Sequence, residues 1–87
     1  MSYKYHNDQE LTDLLKSGDS QACAEIYHRY HASLYIHAFK RLQLREECRD
    51  LVQELFTTLW VKRQEITFKT TLSGYLYASI RNKIFLK

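Results

Sequence analysis

Proline is absent from the 87 residues and glycine occurs only twice, at Gly18 and Gly74. The usual breakers of regular backbone are therefore missing, which points to a mostly helical domain. Only two cysteines are present, Cys23 and Cys48, with no CxxC pair. That spacing excludes a disulfide framework or a paired-cysteine metal site and leaves two small buried hydrophobes in a reducing compartment. No apolar run approaches the roughly 20 residues that a membrane span needs. The start, MSYKYHNDQE, is polar and carries no secretory leader pattern, so a cytoplasmic location is expected. Glycine-rich phosphate loops, nucleophile elbows and kinase signatures are all missing, and no enzyme activity or cofactor is expected.

What is present fits one small domain. The apolar fraction of 45% is ordinary for a globular chain and too high for a disordered one. Charge is unevenly spread. Residues 1–61 carry seven Lys/Arg against nine Asp/Glu, whereas residues 62–87 carry six against one. A basic last third on a near-neutral body suggests an anionic partner there.

Residues 1–7 read as a flexible start. A first helix is predicted from Asp8, where Leu11, Leu14 and Leu15 repeat at helical spacing and Asp8 and Glu10 suit the first turn. Gly18 suits the left-handed position past its end, and Asp19 suits the N-cap of the next helix. That second helix is predicted over about 20–42, with Ile26, Tyr27, Tyr30, Leu34 and Ala38 at intervals of three and four. Glu25 and Arg29 form a favourable i,i+4 pair on its other side. A third helix is predicted over about 46–63, from Cys48, Leu51, Val52, Leu55, Phe56, Leu59 and Trp60. The threonine-rich stretch after it reads as a loop. A last helix over about 72–85 places Leu72, Leu76, Ile80 and Ile84 four apart. The fold class is all-α: a compact bundle of three long helices plus a short N-terminal one, occupying residues 8–87.

Two surfaces carry possible chemistry. On the third helix Asp50, Gln53, Glu54 and Thr57 form one polar stripe, either simply solvated or able to receive basic side chains of a partner helix. In the last third, Phe68, Tyr75 and Tyr77 are interleaved with Lys62, Arg63, Lys69, Arg81 and Lys83, with Asn82 among the cations. Single-stranded nucleic acid suits such a mixture, since cations track phosphates, aromatics stack on bases and an amide reads a base edge. Taken singly, each aromatic is equally at home in the core. His28 and His31 lie three apart on one helix and His37 two turns on, but a metal site needs further converging ligands, no HExxH motif or Cys/His quartet exists, and no metal site is expected.

The stretches SGDSQACAEIYHRY (17–30), DLVQELFTTLW (50–60) and TLSGYLYASIRNK (71–83) occur together in the order and spacing of one family. Over residues 8–87 the chain resembles region 2 of the bacterial sigma-70 factors, extracytoplasmic-function group. The resemblance implies a transcription initiation factor whose third helix binds the clamp coiled coil of the largest subunit of core RNA polymerase. Asp50, Gln53, Glu54 and Thr57 would then be polymerase-binding residues. It further implies capture of the non-template strand of the promoter -10 element by the loop 62–71 and the helix after it. Lys62, Arg63, Phe68, Lys69, Tyr77, Arg81, Asn82 and Lys83 would be the DNA-binding residues, with Asn82 near a flipped base. Family members are commonly held by an anti-sigma factor, which is therefore an expected partner.

Two departures accompany the resemblance. The family usually continues into a second helical domain, region 4, so this chain is expected to be a fragment. A tryptophan and an arginine common around the start of the last helix are replaced by Gly74 and Ala78. Two other readings compete: a helical protein-interaction domain on a sigma-like scaffold without DNA capture, and an unrelated nucleic-acid-binding bundle.

Overall fold

Four helices form in the computed structural model, which describes residues 3–67 and 71–86: α1 (Asp8–Lys16), α2 (Ser20–Leu42), α3 (Arg45–Val61) and α4 (Leu72–Phe85). The start of α1 is fixed by a reciprocal pair. The Asn7 side chain accepts from the Glu10 amide at 2.8 Å, and the Glu10 carboxylate accepts from the Asn7 amide at 2.9 Å. This satisfies two backbone donors that a helix end leaves unpaired. Gly18, at φ +97°, turns the chain out of α1. Asp19 then caps α2 by accepting from the amides of Gln21 and Ala22, as its position predicts.

The α2–α3 turn is shorter than expected by one residue, because α3 begins at Arg45, and α3 ends at Val61, about two residues before its expected end. Gln43 closes α2 in the left-handed region at φ 57°, a conformation that any side chain but glycine adopts at a cost. Leu44 starts α3 without a side-chain cap, and Glu46 and Glu47 in the first turn supply the favourable charge instead. Thr71 caps α4 by accepting from the Gly74 amide at 3.1 Å.

The predicted apolar faces are the ones buried. Leu11 and Leu15 of α1, Ile26 and Leu34 of α2, Leu55 and Leu59 of α3, and Leu76 and Ile80 of α4 are fully enclosed. α2 is the axis of the bundle, packing against all three other helices, while α3 and α4 also pack on each other. Burial of these eight side chains at roughly 1.5–3 kcal/mol each is the main stabilising term for so small a chain. Cys48 lies in this core, Cys23 is half-buried, and both are free thiols.

Residues 3–7, expected to be a flexible start, make specific contacts. Arg29 is the reason. Its guanidinium reaches Glu25 at 2.8 Å and Asp8 at 3.2 Å, and it donates to the carbonyls of Tyr3, Lys4 and His6. The i,i+4 pair with Glu25 is legible in the sequence, but the other acceptors are more than twenty residues away. The Tyr3 hydroxyl donates to the Asp19 carboxylate at 2.5 Å, which holds that carboxyl below its usual range. The Tyr30 hydroxyl donates to Asp8. Burial first, then that bond, pushes the Tyr30 phenol up to about 12.

Candidate functional site

The α3 stripe is exposed along its whole length. Asp50, Gln53, Glu54 and Thr57 all face outward, while Leu51, Val52, Leu55 and Phe56 between them are buried. The 3.6-residue period makes both faces inevitable once the apolar set is enclosed. Two stripe residues are already positioned from other helices. Gln53 donates to the Tyr27 hydroxyl at 3.0 Å, and Tyr27 is itself wedged edge-on against Phe56 and stacked on His31. Glu54 accepts from Lys83 Nζ at 2.7 Å.

Beside the stripe runs a cleft of about 410 Å³ between α2 and α3, lined by Tyr27, His31, Tyr35, Ile36, Arg49 and Val52. Sequence reasoning missed it. Its one available signal was Ile36, an apolar residue off the core-facing period of α2, which is indeed exposed.

The basic third is only partly assembled as expected. Lys62, Arg81 and Asn82 are exposed. Arg63 is not extended into solvent: its guanidinium lies 4.0 Å from the centre of the Trp60 ring and donates to the Trp60 carbonyl at 2.8 Å. That stack is a cation–π contact. Arg63 Nε is buried without a hydrogen-bond partner. Lys83 is half-buried against Glu54. Tyr77 is half-buried and meets His37 edge-on at 5.6 Å. The expected contributions of Phe68 and Lys69 fall outside the described residues. The segment after α3 is fastened to α1 by Lys16 Nζ, which donates to the Ile66 carbonyl at 2.8 Å.

Position along α4 separates the expected DNA residues into two places. At 1.5 Å per residue, Asn82 lies about 15 Å along the helix from Leu72. It therefore stands at the far end of α4 from Thr71. There it shares a cleft of about 220 Å³ with His37, Arg41, Arg81, Ile84 and Phe85. Among the described residues no group of three His, Cys, Asp or Glu side chains is placed to hold a metal ion. No helix among them is long and apolar enough to cross a membrane.

A small helical bundle with a polar stripe on one helix and exposed cations and an amide on the next is a binding module for macromolecules. Residues 26–85 match the family model described as Sigma-70 region 2, well over half of the chain, and the chain therefore belongs to that family. It is a non-catalytic sigma factor domain of transcription initiation, of the kind that binds RNA polymerase and takes part in promoter melting. No curated protein and no solved structure gives a significant match to the chain.

Proposed function

We propose that the α3 stripe docks on the clamp coiled coil of the largest subunit of core RNA polymerase, and that α4 with segment 62–71 captures the non-template strand of the -10 element. Residues 8–87 are the domain that does this, within the cytoplasmic transcription machinery and in the manner of the extracytoplasmic-function group. An anti-sigma factor covering the same faces is its expected regulator. The observation that carries the reading is the outward placement of all four of Asp50, Gln53, Glu54 and Thr57 on a helix whose other face is core. Acids and an amide so placed suit arginines of a partner helix, a pairing that gives orientation and specificity.

On the DNA side, Lys62, Arg81 and Asn82 are the exposed members of the proposed set among the described residues, and Tyr77 is half-buried. Phosphate contacts from the cations supply salt-sensitive affinity, and Asn82 supplies a base-edge contact. The internal engagement of Arg63 and Lys83 favours a second reading, a protein-interaction domain without strand capture.

Two measurements decide. Binding of the chain to a purified clamp coiled-coil fragment is expected to be lost in Glu54→Lys and weakened in Asp50→Ala, with helicity unchanged. Loss of helicity in step with binding would make the stripe structural and sink the docking claim. Holoenzyme assembled with Asn82→Ala is expected to bind the -10 strand more weakly. Unchanged strand affinity there, with docking intact, leaves the second reading.

A further inference from the structure

The turn that follows α3 presents Lys62, exposed and one of the proposed strand contacts. The amides of Glu65 and Ile66 both donate to the Lys62 carbonyl, at 2.9 and 3.1 Å. Ile66 is the one apolar side chain of 62–67 and is half-buried against the core. A turn with so little burial of its own needs other contacts to hold one form. The end of α1 supplies them at two points. Lys16, in the last turn of α1, donates from Nζ to the Ile66 carbonyl at 2.8 Å, 50 residues away in sequence. The Arg63 guanidinium, stacked on Trp60, also lies beside Gly18, 3.9 Å from where a Cβ on that glycine would stand. The start and the close of the turn are therefore both set against one spot. Lys16 and Gly18 lie outside residues 26–85, the stretch that matches the family.

We propose that Lys16 is a positioning residue for strand capture: its bond to the Ile66 carbonyl holds the 62–66 turn in the form that presents Lys62. The proposal rests on the strand-capture reading and adds to it a residue of α1. Two observations separate Lys16 from a phosphate contact. Its side chain is half-buried and its ammonium is engaged by a carbonyl. The α1 wall around it, along a polar cleft of about 410 Å³ that faces Thr67 and Thr71, carries the carboxylates of Asp8 and Asp13. Acids on that wall disfavour a phosphodiester there. A hydrogen bond from an ammonium is stronger than one between neutral groups, so this one weighs heavily on a short turn. Its removal leaves the Ile66 carbonyl to water and the buried core intact, so the turn loosens while the bundle stands. The strand then meets a competent turn in only a fraction of molecules, and its apparent affinity falls by that fraction.

The test measures binding of a single-stranded -10 oligodeoxynucleotide to holoenzyme assembled with wild type, Lys16→Met or Lys16→Arg, over a salt series. Lys16→Met is expected to weaken binding about three- to tenfold with the salt slope unchanged. Lys16→Arg still donates to a carbonyl and is expected to restore most of the affinity. In the free chain, amide exchange at Glu65 and Ile66 is expected to rise in Lys16→Met, with the urea midpoint and binding to the clamp fragment unchanged. Wild-type strand affinity in Lys16→Met, beside weakened binding in Asn82→Ala, would overturn the positioning role while strand capture stood. A salt slope reduced by about 0.7 in Lys16→Met would make Lys16 a phosphate contact and overturn that role too. A urea midpoint that falls in step with strand affinity would make the bond a contact of the fold, with the same consequence. A wild-type holoenzyme without affinity for the strand would overturn both readings.

Discussion

Lys83 Nζ donates to Glu54 Oε1 at 2.7 Å, so a cation assigned to the DNA face and an acid assigned to the polymerase face neutralise each other across α3 and α4. Glu54 is 64% exposed and Lys83 21%, so water screens the pair. A double-mutant cycle between Glu54→Gln and Lys83→Met, followed by urea unfolding, is expected to give a coupling below about 1 kcal/mol. In the polymerase assay Lys83→Met is expected to hold or raise affinity, since it removes a cation that pairs with the acid. Glu54→Lys is expected to lower affinity at least about tenfold. A coupling several times larger would mean that the pair is structural.

Arg29 ties the chain start to α2 through two carboxylates and three carbonyls. Arg29→Met keeps the aliphatic stem and removes every one of these bonds. We expect a loss of about 1–3 kcal/mol by urea unfolding. Amide exchange should rise first at residues 3–7 and the first turn of α1, and uniform acceleration would argue against a local strap.

Asp19 links acid stability to two roles at once. Its folded pKa is held below the ordinary 3.8, chiefly by the Tyr3 hydroxyl and then by the α2 amides. A depressed carboxyl contributes stability that is complete above its unfolded value and lost as pH falls through the folded one. Asp19→Asn retains a good N-cap without a titrating group. The variant is expected to show a flatter acid limb than wild type below pH about 4. Superimposable acid limbs would remove Asp19 from the account.

Tyr30 works at the other end of the scale. Its phenol is raised from 10.0 to about 12 by burial and by Asp8. A raised group stabilises fully below the unfolded pKa and ceases to do so as pH passes the folded one. Wild type should therefore lose stability between pH 10 and about 12, and Tyr30→Phe should lack that component. Urea midpoints on either side of this window measure it.

Leu76 sits fully buried in α4, the helix on which the proposed strand contacts depend. Leu76→Ala is expected to cost about 2–5 kcal/mol. In a chain of this size that is a large share of the total, and thermal unfolding should shift down by tens of degrees. A loss under about 1 kcal/mol would mean that α4 is loosely packed.

The four helices were legible because helix formation is local. Apolar spacing picked out the buried face of α3 and the four-residue ladder of α4, and Gly18 and Asp19 marked the α1–α2 turn. The boundaries that slipped had weak local signals: Gln43 takes a glycine-like conformation without being glycine, and Leu44 starts α3 without a capping side chain. The stripe Asp50–Gln53–Glu54–Thr57 followed from period alone, since burial of its neighbours leaves it nowhere else to face.

Side-chain partners were a different matter. The sequence by itself determined an all-helical bundle, its core positions, its polar stripe and its basic last third, because propensity, capping and periodicity act over three or four residues. Only the tertiary structure decided that Arg63 lies on Trp60, that Lys83 pairs with Glu54, that Arg29 gathers the chain start, and that His37 and Arg41 meet Arg81 and Asn82. Those meetings depend on the crossing and register of whole helices, set by how their ridges pack. No local pattern encodes which long cation finds which distant acceptor.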